Sequence, residues 1–158
     1  MRKRQKTVWI TGASSGIGLA FAQAYAKKGY RLILTARRRG RLEKIAANLG
    51  VSCRIETADL SKDEECYRVC NLLKEETIDI FINNAGFGTC GEFAETDMTK
   101  EIDMIHVNVE AMHILCKEVL RHMRAKGHGT ILNVASSAGL LPGGPYMATY
   151  YATKAYVV

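Results

Sequence analysis

The sequence predicts an α/β fold, a parallel sheet doubly wound with helices on both faces. Two observations carry that prediction. Short β-branched runs alternate with longer stretches of helical period, and a glycine-rich turn joins the first run to the first helix. A β-α-β-α order demands parallel strands joined by right-handed crossovers. The 158 residues suit one domain, expected to span 1–158, and show no repeat, linker or low-complexity segment.

Thr7-Val8-Trp9-Ile10-Thr11 reads as a buried strand. A helix is expected from about Gly16 to Lys28, with Gly29 as its C-terminal cap. Arg31-Leu32-Ile33-Leu34-Thr35 forms the second strand and Arg41 to Leu49 the second helix, closed by Gly50. Val51 to Thr57 is the third strand. Ser61-Lys62-Asp63-Glu64 has the capping-box pattern and opens a helix expected to reach about Glu75. Ile78-Asp79-Ile80-Phe81-Ile82 and Thr130-Ile131-Leu132-Asn133-Val134 supply strands four and five. Between them a helix is expected from about Thr99 to Lys126. In it Ile102, Ile105, Val109, Met112, Cys116, Val119 and Met123 recur at alternating gaps of three and four. Such a stripe packs on the sheet or takes part in a helical dimer seam.

Hydrophobic residues make up 47% and charged residues 24%, a globular composition. No apolar run approaches the roughly 18 residues of a membrane span, so no membrane partner is expected. The basic opening Met1-Arg2-Lys3-Arg4-Gln5-Lys6 precedes too short an apolar stretch for a signal peptide, and a cytoplasmic location is expected. Cys53, Cys66, Cys70, Cys90 and Cys116 form no C-x-x-C pair, which fits reduced thiols and no metal. The formal charge of +6 gathers largely in the basic tail and at Arg37, Arg38, Arg39 and Arg41. A solvated surface accounts for it, and no nucleic-acid partner is expected.

Gly12-Ala13-Ser14-Ser15-Gly16-Ile17-Gly18 lies between the first strand and the first helix. Glycine at the strand end permits a tight turn, Gly16 lets backbone approach a pyrophosphate, and Gly18 lets helix and strand pack closely. The helix N-terminus then offers N–H groups and a positive dipole end to phosphates. At the end of the second strand, Leu34-Thr35-Ala36-Arg37-Arg38 carries a guanidinium where an NAD-preferring site carries a carboxylate. Arg37 is a planar, permanent cation suited to a 2′-phosphate. NADP(H) is therefore the expected cofactor, with NAD(H) an open alternative.

The spacing G-x-x-x-G-x-G resembles that of the short-chain dehydrogenase/reductase family, and further motifs follow in order. Asp59-Leu60 follows the third strand, Asn83-Asn84-Ala85-Gly86 the fourth, and Asn108 lies in the long helix. Ser136-Ser137 ends the fifth strand, and Tyr150-Tyr151-Ala152-Thr153-Lys154 matches Y-x-x-x-K. The resemblance runs from about residue 6 to the last residue. It implies a Rossmann-type sheet of order 3-2-1-4-5, and a cofactor held by Gly12, Ser14, Ser15, Gly16, Ile17, Gly18, Arg37, Asp59, Leu60, Asn84, Ala85, Gly86, Tyr150 and Lys154.

Tyr150 and Lys154 are four residues apart, so a helix places them on one face. An unperturbed phenol titrates at about 10, and a neighbouring ammonium favours its ionised form. The resemblance assigns Tyr150 proton transfer at the substrate oxygen and gives Lys154 the nicotinamide ribose as well. It gives Ser137 the carbonyl and Asn108 a water in a proton relay. It also implies a homo-oligomer acting on a small carbonyl or alcohol, whose identity the apolar stretch Gly139 to Pro145, expected to line the pocket, does not disclose.

Members of the family continue past this helix with two more strands. The sequence ends at Val158, so the expectation is a fold cut after Y-x-x-x-K, with C-terminal strands missing and the fifth strand at an edge. Two functions follow as expectations: an NADP(H)-dependent oxidoreductase, or a non-catalytic nucleotide-binding fragment of one.

Overall fold

The computed structural model describes residues 4–158; Met1, Arg2 and Lys3 of the basic tail lie outside the described residues. The strands are β1 (Thr7–Thr11), β2 (Arg31–Ala36), β3 (Cys53–Thr57), β4 (Ile80–Asn83) and β5 (Thr130–Asn133). They form one sheet in the order β3-β2-β1-β4-β5, every neighbouring pair parallel. The helices are α1 (Gly16–Lys27), α2 (Arg39–Ala47), α3 (Asp63–Cys70), α4 (Met98–Ile105), α5 (Met112–Lys126) and α6 (Ala148–Val157). This is the doubly wound arrangement the sequence predicts.

The alternation along β1 builds two cores, because successive strand residues face opposite ways. Trp9, Ile33 and Phe81 pack beneath Cys66 and Val69 of α3 and Leu115, Val119 and Met123 of α5. Val8, Ile10, Leu32, Leu34 and Ile82 pack beneath Ala22 and Ala26 of α1 and Leu42 of α2. Each large aliphatic or aromatic side chain so buried stabilises the fold by about 1.5–3 kcal/mol relative to exposure. Trp9 also satisfies its indole N–H, which donates to Thr35 Oγ1 at 2.8 Å. The chain passes from β3 over β1 to β4, so the winding reverses between the C-terminal ends of β1 and β4. A crevice opens at such a reversal.

Three local expectations need correction. Ser61 does not cap α3: its hydroxyl donates to Asp59 Oδ1 at 2.9 Å, and the N-cap position falls to Lys62 without a side-chain bond. That helix ends at Cys70, and Asn71–Lys74 tighten into a 3₁₀ turn. The long helix contains a π-helical turn, His106–Ala111, between α4 and α5. A π turn adds a residue to the helical repeat and shifts the phase of what precedes it. Hence Met112, Val119 and Met123 of the apolar stripe are buried, while Ile102 and Ile105 are exposed and Met104 takes the buried face.

Burial also governs the thiols. It pushes Cys66 up to about 11 and Cys70 up to about 12, whereas Cys90 is exposed. The thiolate is the nucleophile, so iodoacetamide at mild alkaline pH is expected to modify Cys90 well before Cys66 or Cys70, as peptide mass spectrometry would show. Equal labelling of all three would contradict this packing. The native state keeps protons that the unfolded chain loses above the ordinary thiol value of 9.0. Stability therefore declines as pH rises from there through about 11.

Candidate active site

The crevice is assembled from the ends of β1, β2, β3 and β4. After β1, Gly12 turns with φ +65°, and a Cβ there would come within 2.8 Å of Asn84 Nδ2 and 3.0 Å of Ala85 Cα. Gly16 opens α1 at φ +52° with nothing within 4 Å of where a Cβ would stand, so its backbone faces free space. A Cβ on Gly18 would lie 2.3 Å from Gly12 O. That contact fixes α1 against the turn, and Gly18 serves beneath the crevice rather than as lining. Ser15 at the N-cap makes no side-chain bond to the first turn of α1. The N–H groups of that turn are left for a ligand.

The end of β4 is clamped to the end of β1. Thr11 Oγ1 accepts from the backbone N–H groups of Asn84 and Ala85, each at 3.0 Å, and Asn84 Nδ2 donates to Thr11 O at 3.0 Å. Asp59 Oδ1 accepts from the backbone N–H of Ser61 at 3.2 Å as well as from its hydroxyl. The carboxylate is thereby held at the crevice wall.

On the other side, α6 brings Tyr150 and Lys154 to the crevice on one face, as their spacing predicts. Lys154 is only 4% exposed, and its Nζ donates to Val134 O at 3.1 Å while standing 5.9 Å from the Tyr150 ring centroid. Burial holds this amine below the usual lysine range. A Cβ on Gly86 would come within 3.4 Å of Lys154 Nζ, and one on Gly88 within 3.0 Å of the Tyr150 ring. Asn108, fully buried in the π turn, accepts from Phe87 N at 3.0 Å and donates to Phe87 O at 2.8 Å and Thr153 Oγ1 at 3.0 Å. One amide thus locks the stretch after β4 to the helix that carries Tyr150.

These walls enclose about 540 Å³, a volume suited to a small-molecule site. Gly12, Ser14, Ser15, Gly16, Ile17, Arg37, Asp59, Leu60, Asn84, Ala85, Gly86, Tyr150 and Lys154 all line it. Gly18, Asn108 and Ser137 do not. Ser137 begins a 3₁₀ turn, Ser137–Leu140, and is exposed, whereas the hydroxyl of Ser136 accepts from Ala138 N at 3.2 Å. The stretch Gly139 to Pro145, expected at the pocket, contributes no lining residue. It lies against α6, where a Cβ on Gly139 would meet Lys154 O at 2.4 Å. Arg38, Phe87, Asp103 and Val107 line the crevice without having been expected there. Of these, Arg38 had a signal in its position beside Arg37. A larger, more open groove of about 820 Å³ between α3 and α5 includes none of the expected site residues.

No helix among the described residues is long and apolar enough to cross a membrane. Residues 6–158 match the family model for short chain dehydrogenase. The chain is 35% identical over 156 residues to hydroxysteroid dehydrogenase-like protein 1 of Gallus gallus, covering 94% of this chain and 46% of that protein. It is 34% identical over 154 residues to a 3-oxoacyl-[acyl-carrier-protein] reductase of Rickettsia prowazekii, covering 97% of this chain and 62% of that one. The chain thus spans about half to three-fifths of the length of these relatives. Among solved structures, a short-chain dehydrogenase from Sphingobium yanoikuyae in complex with NADPH superposes with a TM-score of 0.90 at 38% identity, over 96% of this chain and 61% of that one. An alcohol dehydrogenase from Thermococcus sibiricus complexed with 5-hydroxy-NADP gives 0.87 at 32% identity, over 98% and 67%. With the family model matched over nearly its whole length, this chain belongs to the short chain dehydrogenase family.

Proposed function

We propose that the chain carries the cofactor site and the acid–base pair of an NADP(H)-dependent oxidoreductase that interconverts a carbonyl and an alcohol by hydride transfer. The observation that supports it best is one crevice lined by the glycine turn, Arg37, Tyr150 and Lys154. A dinucleotide fits the donors present. The bare N–H groups at the start of α1 suit a pyrophosphate, and Arg37 suits a 2′-phosphate. Asp59 and Leu60 suit the adenine end, and Lys154 the ribose at the nicotinamide end. NADPH, when bound, supplies the hydride to the carbonyl carbon.

The chain's own side chains handle the proton. Tyr150 gives its phenolic proton to the substrate oxygen in reduction and takes it back in oxidation, and the Lys154 ammonium stabilises the phenolate left behind. Asn108 frames Phe87 and Thr153 around this pair, and Ser137 is assigned the substrate carbonyl. We further read the protein as cytoplasmic and homo-oligomeric, with small molecules rather than nucleic acid as partners.

Titration calorimetry with NADPH and NADH tests this reading. A charge-assisted hydrogen bond contributes about 1.5–3 kcal/mol, so Arg37→Ala is expected to weaken NADPH about 10- to 100-fold and leave NADH nearly unchanged. Equal losses for both would refute the 2′-phosphate assignment. Binding of NADPH with no turnover on any aldehyde or ketone would leave a nucleotide-binding module in place of an enzyme.

A further inference from the structure

Glu101 is a buried carboxylate to which the reaction above gives no role. It is 8% exposed, and no salt bridge among the described residues includes it. Charge buried without a counter-ion is costly, so its surroundings must compensate. Two features do. Oε1 accepts from Thr96 Oγ1 and from Thr149 Oγ1, each at 3.0 Å. Thr149 stands in the first turn of α6, a helix with no acidic residue in that turn and no side-chain bond at its N-cap, Met147. A carboxylate beside such a turn gains from the positive end of the helix dipole.

The same junction fastens the loop between β4 and α4. Gly91 N donates to Tyr146 O at 2.8 Å, and Tyr146 is held at φ +63°, a strained value for any residue but glycine. Upstream in that loop Gly88 lies against the Tyr150 ring. A cavity of about 30 Å³ bounded by Glu101, Tyr146 and Thr149 gives room for a single water at the junction.

We propose that Glu101 is a positioning residue for Tyr150, its carboxylate accepting from the Thr149 hydroxyl in the first turn of α6 and from the Thr96 hydroxyl, and so tying that turn to the loop that flanks the phenol ring. The tie itself stands on geometry alone; its effect on turnover rests on the oxidoreductase reading.

Three variants and two readouts test it. Glu101→Leu removes the acceptor of both bonds, Glu101→Gln keeps an oxygen but no charge, and Thr149→Val removes one hydroxyl at constant shape. In hydrogen exchange, Glu101→Leu is expected to speed the amides of residues 87–97 and 146–150 by about tenfold or more, with β1 to β4 unaffected. Glu101→Gln and Thr149→Val should fall between Glu101→Leu and the wild type. Glu101→Leu should lower kcat about tenfold and leave KM for NADPH within about twofold, because misplacing the phenol harms chemistry rather than cofactor binding. Unchanged exchange, or acceleration spread evenly over the strands, would overturn the tie. Faster loop exchange with an unchanged kcat would overturn the positioning role. An inert wild type would sink the oxidoreductase reading instead, and exchange alone would then decide whether Glu101 fastens loop to helix.

Discussion

Tyr150→Phe is expected to reduce turnover by about 10²–10⁴, the usual contribution of a positioned acid–base group. Only the hydroxyl is lost. The phenyl ring still fills the space against Gly88, where a Cβ would come within 3.0 Å, and Lys154 Nζ keeps its bond to Val134 O at 3.1 Å. The cradle for the phosphates lies on other elements, the turn after β1 and the end of β2, so NADPH affinity should change by less than about threefold. Steady-state kinetics beside titration calorimetry would separate the two quantities. A matched loss in both would mean that Tyr150 supports binding rather than proton transfer.

Gly18→Ala is expected to be the most damaging small substitution in the glycine turn beneath the crevice. Its methyl would stand 2.3 Å from Gly12 O and 2.6 Å from Asn84 Nδ2. The nearest obstacle is backbone, which no rotamer change relieves, and the Asn84 amide is itself committed to Thr11 O at 3.0 Å. Either α1 retreats from the sheet or the turn opens, and both enlarge the phosphate site. Overpacking of this kind costs about 1–3 kcal/mol of stability, and NADPH affinity should fall at least about tenfold with it. Gly40→Ala is the control: it lies in α2 with nothing within 4 Å of the new methyl, and an exposed helical glycine replaced by alanine gains about 0.5–1 kcal/mol. Urea unfolding read alongside calorimetry checks both. A Gly18→Ala protein as stable and as tightly binding as the wild type would disprove the close approach.

The sheet was legible because its central strands β1, β2 and β4 are largely buried, so that β1 and β2 stand out as short runs such as Leu32-Ile33-Leu34. Motif residues on the strand ends were legible for a related reason, since the turn after β1 and the stretch after β4 must meet at the reversal of winding. What escaped depends on which of several partners, near or far along the chain, a side chain takes. Ser61 matches a capping pattern, but Asp59 takes its hydroxyl. The π turn escaped too: its buried Asn108 is bonded to Phe87, 21 residues away, and Thr153, 45 residues away. Asp103 and Val107 reach the crevice from that same helix, and Glu101 carries no motif at all. His106 carries no motif either, yet it is half-buried, with Glu110 and Asp63 each bringing a carboxylate close to its ring.

A crystal structure of the chain with NADPH bound puts the central claim to its most direct trial. The pyrophosphate is expected against the N–H groups that open α1, the 2′-phosphate at Arg37, and the nicotinamide beside the Tyr150 phenol with its ribose at Lys154. A dinucleotide seated in the groove between α3 and α5, or one whose nicotinamide points away from the phenol, would contradict it.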